Sequence, residues 1–503
     1  MKKSRLTLRS LSLMGLGLAF LASCSKEEIT VADTQPQNST SNNQAEVSSE
    51  SVVRRGQSYI ILSSTDNLPS DLASQMQAAN GTLTGELSGA GLALATSTDP
   101  DFAAKASRIS GVRSVIHDFT YQGFAPNSAR DVEAVTESDN TNPATSADND
   151  RFFPLQWGHT AIQAPEAWNT GARGKGALVA VLDGGFDLTH PDLVANIAGS
   201  KSFVPGEAAQ FKGSAFSHGT HTAGTIGAVD NNLGVVGVAP EAKLLLVKVL
   251  ADGGSGSFSW MIQGIYYAVS QQADVINMSL GAAIPNSSKY RDDNGTPEDT
   301  SDDKWVNDTK EIQELLVAIS KATSYATKKG VTVIASAGND ANNGQRDKNL
   351  VHIPSGATDV ISISATGPMG WALKPLETNL DRMASYTNFG TSDVEFAAPG
   401  GDAAYPGNDI ASIAGVTQYA FAFDMVFSLT SQGRYTWSAG TSMAGPHAAG
   451  VAALIVGKAG GQLDPSRVRA IMRASADDLG KPGRDPYYGY GRVNALRAVS
   501  QAF

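Results

Sequence analysis

The feature that most constrains the fold is a recurrence in the latter part of the chain. From Arg151 to Phe503, short apolar runs (Ala177 to Leu182, Leu244 to Val249, Val275 to Met278, Val331 to Ala335 and Val360 to Ser364) alternate with stretches of helical spacing. Runs this continuous read as strands covered on both faces, and their alternation with helices predicts an α/β domain, a doubly wound, mainly parallel sheet over residues 151–503. Glycine fits the same reading: 51 of 503 residues, without a collagen-like period, supply the many tight turns such a body needs.

The residues ahead of this body divide into four. Lys2, Lys3, Arg5 and Arg9 precede the apolar run Leu11 to Ala22, which is too short to span a bilayer comfortably and reads as a secretory signal over residues 1–23. It ends in Leu21-Ala22-Ser23-Cys24. Cys24 is the only cysteine in the chain, so no intramolecular disulfide and no Cys-based zinc site can form. The segment resembles the lipobox of bacterial lipoproteins, which implies an acylated Cys24, membrane attachment through it, and export to the outer membrane or cell surface. Ser25-Lys26-Glu27-Glu28 fits either a surface-export tag or the start of a solvated tether. Residues 24–57, rich in Ser, Thr, Asn and Gln, read as that tether.

Residues 58–125 then read as a β-like run (Tyr59 to Leu62), a helical stretch (Leu72 to Ala79), Gly-punctuated strands to Ala95, a second helical stretch (Phe102 to Ile109) and Val112 to Ile116. That β-α-β-β-α-β order predicts a small ferredoxin-like α+β domain. Residues 126–150 read as a linker. Inside the large domain, Ala283 to Asp308 is a polar insertion whose Asp292, Asp293, Glu298 and Asp299 read as a solvated loop or a weak cation site. The formal charge of −11 (38 basic against 49 acidic residues) excludes nucleic acid as a main partner.

Three segments place reactive side chains among small residues. Val179-Ala180-Val181-Leu182 delivers Asp183 at a strand's carboxyl end, followed by Gly184-Gly185; ligands of such sheets bind there, although a turn Asp would also fit. Ser217-His218-Gly219-Thr220-His221-Thr222-Ala223-Gly224 carries two His three apart, without the carboxylate of an H-E-x-x-H zinc site. Gly440-Thr441-Ser442-Met443-Ala444-Gly445-Pro446-His447 places a Ser at a turn that opens a helix from His447 to Val456, where it could be a helix cap or a nucleophile.

Together, in the order Asp183, His218, Ser442, the segments resemble the subtilisin-like serine proteases (subtilases) over most of residues 153–503. The resemblance implies an Asp-His-Ser triad that hydrolyses peptide bonds through an acyl-enzyme. Ser442 would attack the scissile carbonyl, His218 would carry its proton, and Asp183 would orient the imidazole. His221 would be structural. Asn339, in Ser336-Ala337-Gly338-Asn339, would supply the oxyanion hole with the Ser442 N–H. Gly254-Ser255-Gly256 and Ser279-Leu280-Gly281 would hold the substrate backbone as an added strand. Ala337 to Asp340 and the segment before Pro354, with His352, would wall the specificity pocket, Asp340 favouring a basic residue before the cut.

The family usually carries Ser or Thr after the catalytic Asp; Gly184 stands here, so one hydrogen bond to the carboxylate would be lost or taken by water. Asp192 and Asn231, in the loop Val229 to Val235, match part of a family calcium site, with Gln156 out of register. No organic cofactor is implied. Residues 58–125, ending Gly111-Val112-Arg113-Ser114-Val115-Ile116, resemble the subtilase propeptide, an intramolecular chaperone and inhibitor; a binding domain would have the same element order. As a propeptide, its tail at Tyr121 to Ala125 would lie in the cleft and be cut by Ser442. The expectation is therefore a monomeric, self-processing serine endopeptidase of extracytoplasmic proteins and peptides. The rival is a proteolytically silent, peptide-binding protein of the same fold.

Overall fold

The computed structural model describes residues 52–122, 149–213, 216–285, 289–296 and 299–501. The signal-like segment, Cys24, the tether to residue 51 and residues 123–148 lie outside them. The first module runs β1 (Val52–Ser63), α1 (Leu72–Ala78), β2 (Thr82–Leu87), β3 (Leu92–Thr96), α2 (Phe102–Ala106) and β4 (Val112–Gln122), the predicted order. Its ladders are all antiparallel, with β1 between β4 and β3, and β2 outside β3. Successive β1 residues face opposite sides of this sheet. Tyr59 and Ile61 pack with Leu72, Met76 and Phe102 under the two helices, while Ile60 and Leu62 face the rest of the molecule.

The body continues with α3 (Trp157–Ala161), α4 (Ala164–Asn169), β5 (Leu178–Asp183), β6 (Ile197–Ser202), α5 (His218–Gly227), β7 (Lys243–Lys248), β8 (Ser255–Ser257), α6 (Phe258–Ser270) and β9 (Val275–Met278). Then follow β10 (Ala282–Pro285), β11 (Lys289–Asp292), β12 (Lys304–Asn307), α7 (Thr309–Lys328), β13 (Thr332–Ser336), β14 (Leu350–Ile353), β15 (Val360–Thr366), β16 (Phe396–Pro399), α8 (Ala420–Phe423) and α9 (Thr441–Lys458). Seven strands form one parallel sheet in the order β16-β15-β13-β9-β5-β7-β6. The chain enters at β5, winds out through β6 and β7, and then winds the other way from β9. The carboxyl ends of β5 and β9 are therefore the switch point where such sheets bind ligands. Alternation along β5 sends Val179 and Val181 into the core beneath α5 and α9, and Ala180 and Leu182 into the core beneath α6 and α7.

One expectation changes. The insertion is not a solvated loop: β11 and β12 form an antiparallel hairpin, and β11 pairs in parallel with β1 through Val53–Arg291 and Arg54–Asp292. Strand β1 starts at Val52 rather than near Ser58 because Val52 to Arg55 pair with Tyr121 to Asp118 of β4, and Val53, Arg54 and Gly56 gain partners from a segment more than 230 residues away. The module is also docked on the large domain. Ile60, Leu62, Phe119 and Tyr121 of the module share one apolar core with Phe258, Met261, Ile312 and Leu315 of α6 and α7. Polar contacts follow the same surface: Asp118 accepts from the Ser257 hydroxyl and, at 3.1 Å, from the Ser259 amide at the open N-terminus of α6.

Candidate active site

Asp183 is the last residue of β5, His218 the first of α5 and Ser442 the second of α9. Helices α5 and α9 pack against each other and against β5, which brings both helix starts to the switch point, His218 beside Asp183 and Ser442 beside Ser279 just beyond β9. His218 Nδ1 lies 2.8 Å from Asp183 Oδ1. Ser217 caps α5, accepting the Thr220 amide and donating at 2.8 Å to Gly185 O, which ties the helix start to the turn after Asp183. The hydrogen bond expected to be missing at Gly184 is replaced within the protein: Thr222 Oγ1 donates to Asp183 Oδ2 at 3.0 Å, and the Gly184 amide to Oδ1 at 2.7 Å. Sequence reasoning passed over Thr222. Its signal was position, four residues after His218 and so on the same helix face.

Helix α9 starts at Thr441, six residues before the expected His447, and carries Pro446 inside it. Proline lacks the N–H that would bond the carbonyl four residues back, which is Ser442 O. Ser279 Oγ fills that place, donating to Ser442 O at 2.7 Å, while Ser442 Oγ donates to Ser279 O at 3.3 Å. The start thus survives a residue that reads as a breaker. Asn339 Oδ1 accepts both the amide and the hydroxyl of Thr441, each at 2.8 Å, which turns Nδ2 the other way. A methyl group built on Gly440 would stand 3.5 Å from Asn339 Nδ2 and 3.6 Å from Ser442 N. Two N–H donors therefore border one small space beside Ser442, and the helix dipole adds to their pull on negative charge.

The expected substrate strands are placed as follows. Gly254, with φ +87°, belongs to a turn, so the paired strand is Ser255–Ser257, one residue later than expected. Thr120, Tyr121 and Gln122 of β4 lie antiparallel on it, and Tyr121 stacks on Phe258 at 4.6 Å. Residues 123–125 of the expected tail lie outside the described residues. Ser279, Leu280 and Gly281 run unpaired between β9 and β10, and a Cβ on Gly281 would meet Ile353 O at 2.3 Å. Ala337 O accepts Asn388 Nδ2 at 2.9 Å, and Gly338, at φ +104°, leaves room for that same amide. Asn388 Nδ2 also lies 3.3 Å from both Asp340 Oδ2 and His352 Nδ1, so the side chains expected at the pocket rim form one cluster. Burial pushes His352 below the usual histidine range.

Two buried histidines stand apart. Burial pushes His221 down to about 3 and His447 to about 4, and each holds a backbone carbonyl, Val426 O and Met443 O. Among the described residues no group of three or more His, Cys, Asp or Glu converges as a metal site. In the loop expected to bind calcium, Asp192 Oδ2 accepts Val235 N and the Tyr435 hydroxyl, both at 3.0 Å, and Asn231 Oδ1 accepts Leu233 N at 2.9 Å. Gln156 spends both ends of its amide on Val236. A second buried carboxylate, Asp150, lies 3.5 Å from Asn231 N and was missed by sequence reasoning.

A family profile described as the Subtilase family matches residues 174–491. The chain is 32% identical to Thermitase of Thermoactinomyces vulgaris, covering 70% of this chain and 98% of that one. It is 34% identical to Subtilisin E of Bacillus subtilis (strain 168), covering 69% and 71% respectively. A solved epidermin leader peptide processing serine protease from Staphylococcus aureus superposes with a TM-score of 0.65 at 20% identity, covering 89% of this chain and all of that one, a likeness of fold.

Proposed function

Because the chain belongs to the subtilase family and is a subtilisin-like serine endopeptidase, we propose that Asp183, His218 and Ser442 are its catalytic triad and Asn339 its oxyanion donor. The observation that carries this is the convergence of Asn339 Nδ2 and Ser442 N beside the serine. Ser442 Oγ attacks the scissile carbonyl as His218 takes its proton, and the carbonyl oxygen, now negative, enters the space between the two donors. His218 returns the proton to the departing amine, water then hydrolyses the acyl-enzyme, and Asp183 keeps the imidazole oriented throughout. A fluorophosphonate probe should label the mature protein at Ser442, and Ser442→Ala should abolish both labelling and casein cleavage. Labelling that survives in the variant refutes the assignment.

Residues 58–125 act in this reading as propeptide, with Tyr121 and Gln122 occupying the β8 edge where a substrate strand would lie. Ser442 cuts within 123–148, and Cys24, once acylated, anchors the exported precursor. Mapping the mature N-terminus by mass spectrometry tests the cut; release of a Cys24→Ala chain from membranes tests the anchor. Asp150, Asp192 and Asn231 offer the hard oxygens that suit calcium, two of them on fully buried carboxylates. The ion would clamp the loop 229–235. At a hundredfold excess over its Kd it would add about 3 kcal/mol of stability, so a chelator should lower Tm by several degrees and calcium, not magnesium, should restore it.

A further inference from the structure

We propose that the acidic insertion is a latch that keeps the N-terminal module bound as a separate chain after the linker has been cut. The inference rests on the reading that residues 123–148 are cleaved. Strand β1 is twelve residues long, and β3 covers one of its edges only from Ser58 onward. Val52 to Gln57 would present an open edge on that side, which proteins seldom leave unprotected. Strand β11 fills it, backed by β12 through four residue pairs from Lys289–Asn307 to Asp292–Lys304.

Charge complements the pairing. Arg54 bonds to Asp292 and lies 3.4 Å from Glu311 of α7, and Arg55 lies 3.9 Å from Asp293. Asp293 Oδ1 accepts the Gly56 amide at 2.9 Å, and its own amide donates to Arg54 O at 3.2 Å. Glu311 also accepts the His117 amide at 2.8 Å and the Tyr290 hydroxyl, so β1, β4, the hairpin and α7 meet at one carboxylate. Tyr290 closes the apolar side edge-on to Phe119 at 4.9 Å. Asp292 and Asp293 are 6% and 4% exposed, unlike the charges of a solvated loop.

The contacts of Arg54, Arg55, Gly56, His117 and Phe119 with the hairpin and α7 each join a residue before the linker to one after it, so cutting the linker breaks none of them. The segment held is also the one that leads back toward residue 51 and Cys24. The latch would therefore keep the cut enzyme attached to whatever holds its N-terminus.

The test uses the full chain carrying Ser442→Ala, with a site-specific protease sequence placed within residues 126–148, so that the cut does not depend on self-processing. After cleavage and dilution to nanomolar concentration, the two halves should stay together on size exclusion for hours. Asp292→Asn with Asp293→Asn should release the module at least about thirtyfold faster, the effect of removing partners from desolvated charge pairs. Gly56→Val, whose side chain would press on Gly295 N, 2.6 Å from a Cβ, should do the same without touching a charge. Equal release from parent and both variants overturns the latch, as does immediate separation of the parent halves. Failure of self-cleavage in the unmodified enzyme would instead count against the processing reading alone.

Discussion

Thr222 shows how one hydroxyl can offset a change elsewhere. Gly184 offers no side-chain donor to Asp183, and Thr222, one helical turn beyond His218, points its Oγ1 at the second carboxylate oxygen. A hydrogen bond to a charged group is worth about 1.5–3 kcal/mol. Thr222→Val should therefore lower kcat tenfold or more with KM nearly unchanged, and Thr222→Ser should recover most of the loss; steady-state kinetics on casein-derived peptides decides it. The proposed site residues Asp183, His218, Asn339 and Ser442 stand out in the sequence because each sits in a short segment of distinctive composition. Thr222, Asp150 and the Ser279 hydroxyl do not, since each is an ordinary polar residue whose role depends on a partner 39, 81 or 163 residues away.

Among the elements, α9 depends on a contact from outside itself. Its Pro446 leaves Ser442 O without a helical donor, and Ser279 Oγ supplies one from the end of β9. Ser279→Ala should expose that deficit, costing about 1–3 kcal/mol in a denaturant titration of the Ser442→Ala chain. A variant with an unchanged midpoint would mean that the helix start needs no such support. The parallel strands were readable in advance because burial on both faces demands continuous apolar runs. Strands β11 and β12 were not: they are four residues each, and β11 is stabilised by pairing with β1 on the far side of the sequence, with β12 pairing onto it in turn. The start of α9 was misplaced for a related reason, since Gly445 and Pro446 signal a break that tertiary contacts overrule.

At the scale of the whole molecule, buried neutral histidines set a pH limit, His221 and His447 among them. Their folded values, about 3 for His221 and about 4 for His447, lie below the ordinary value near 6.5, so the unfolded chain takes up protons first as pH falls. The stability they contribute is complete above pH ~6.5 and drains below it, at about 1.4 kcal/mol per pH unit each, or on the order of 4 kcal/mol by pH ~5. Glu311 does not share this window. Burial opposes its ionisation, but His117 and Tyr290 hold it down to about 2, so its contribution is lost only as pH drops from about 4.5 toward 2. Thermal unfolding of the Ser442→Ala chain should show Tm falling from pH 7 to pH 5; a flat profile there contradicts the assignment. The geometry of β1 has a mechanical side as well. It is gripped along one edge by β4 and along the other by β11 and then β3, with β11 running in its own direction. A pull along the strand from Val52 would load those ladders in shear, so their hydrogen bonds would resist together instead of unzipping one at a time. The chain meets force from its N-terminal side with its strongest arrangement of backbone bonds.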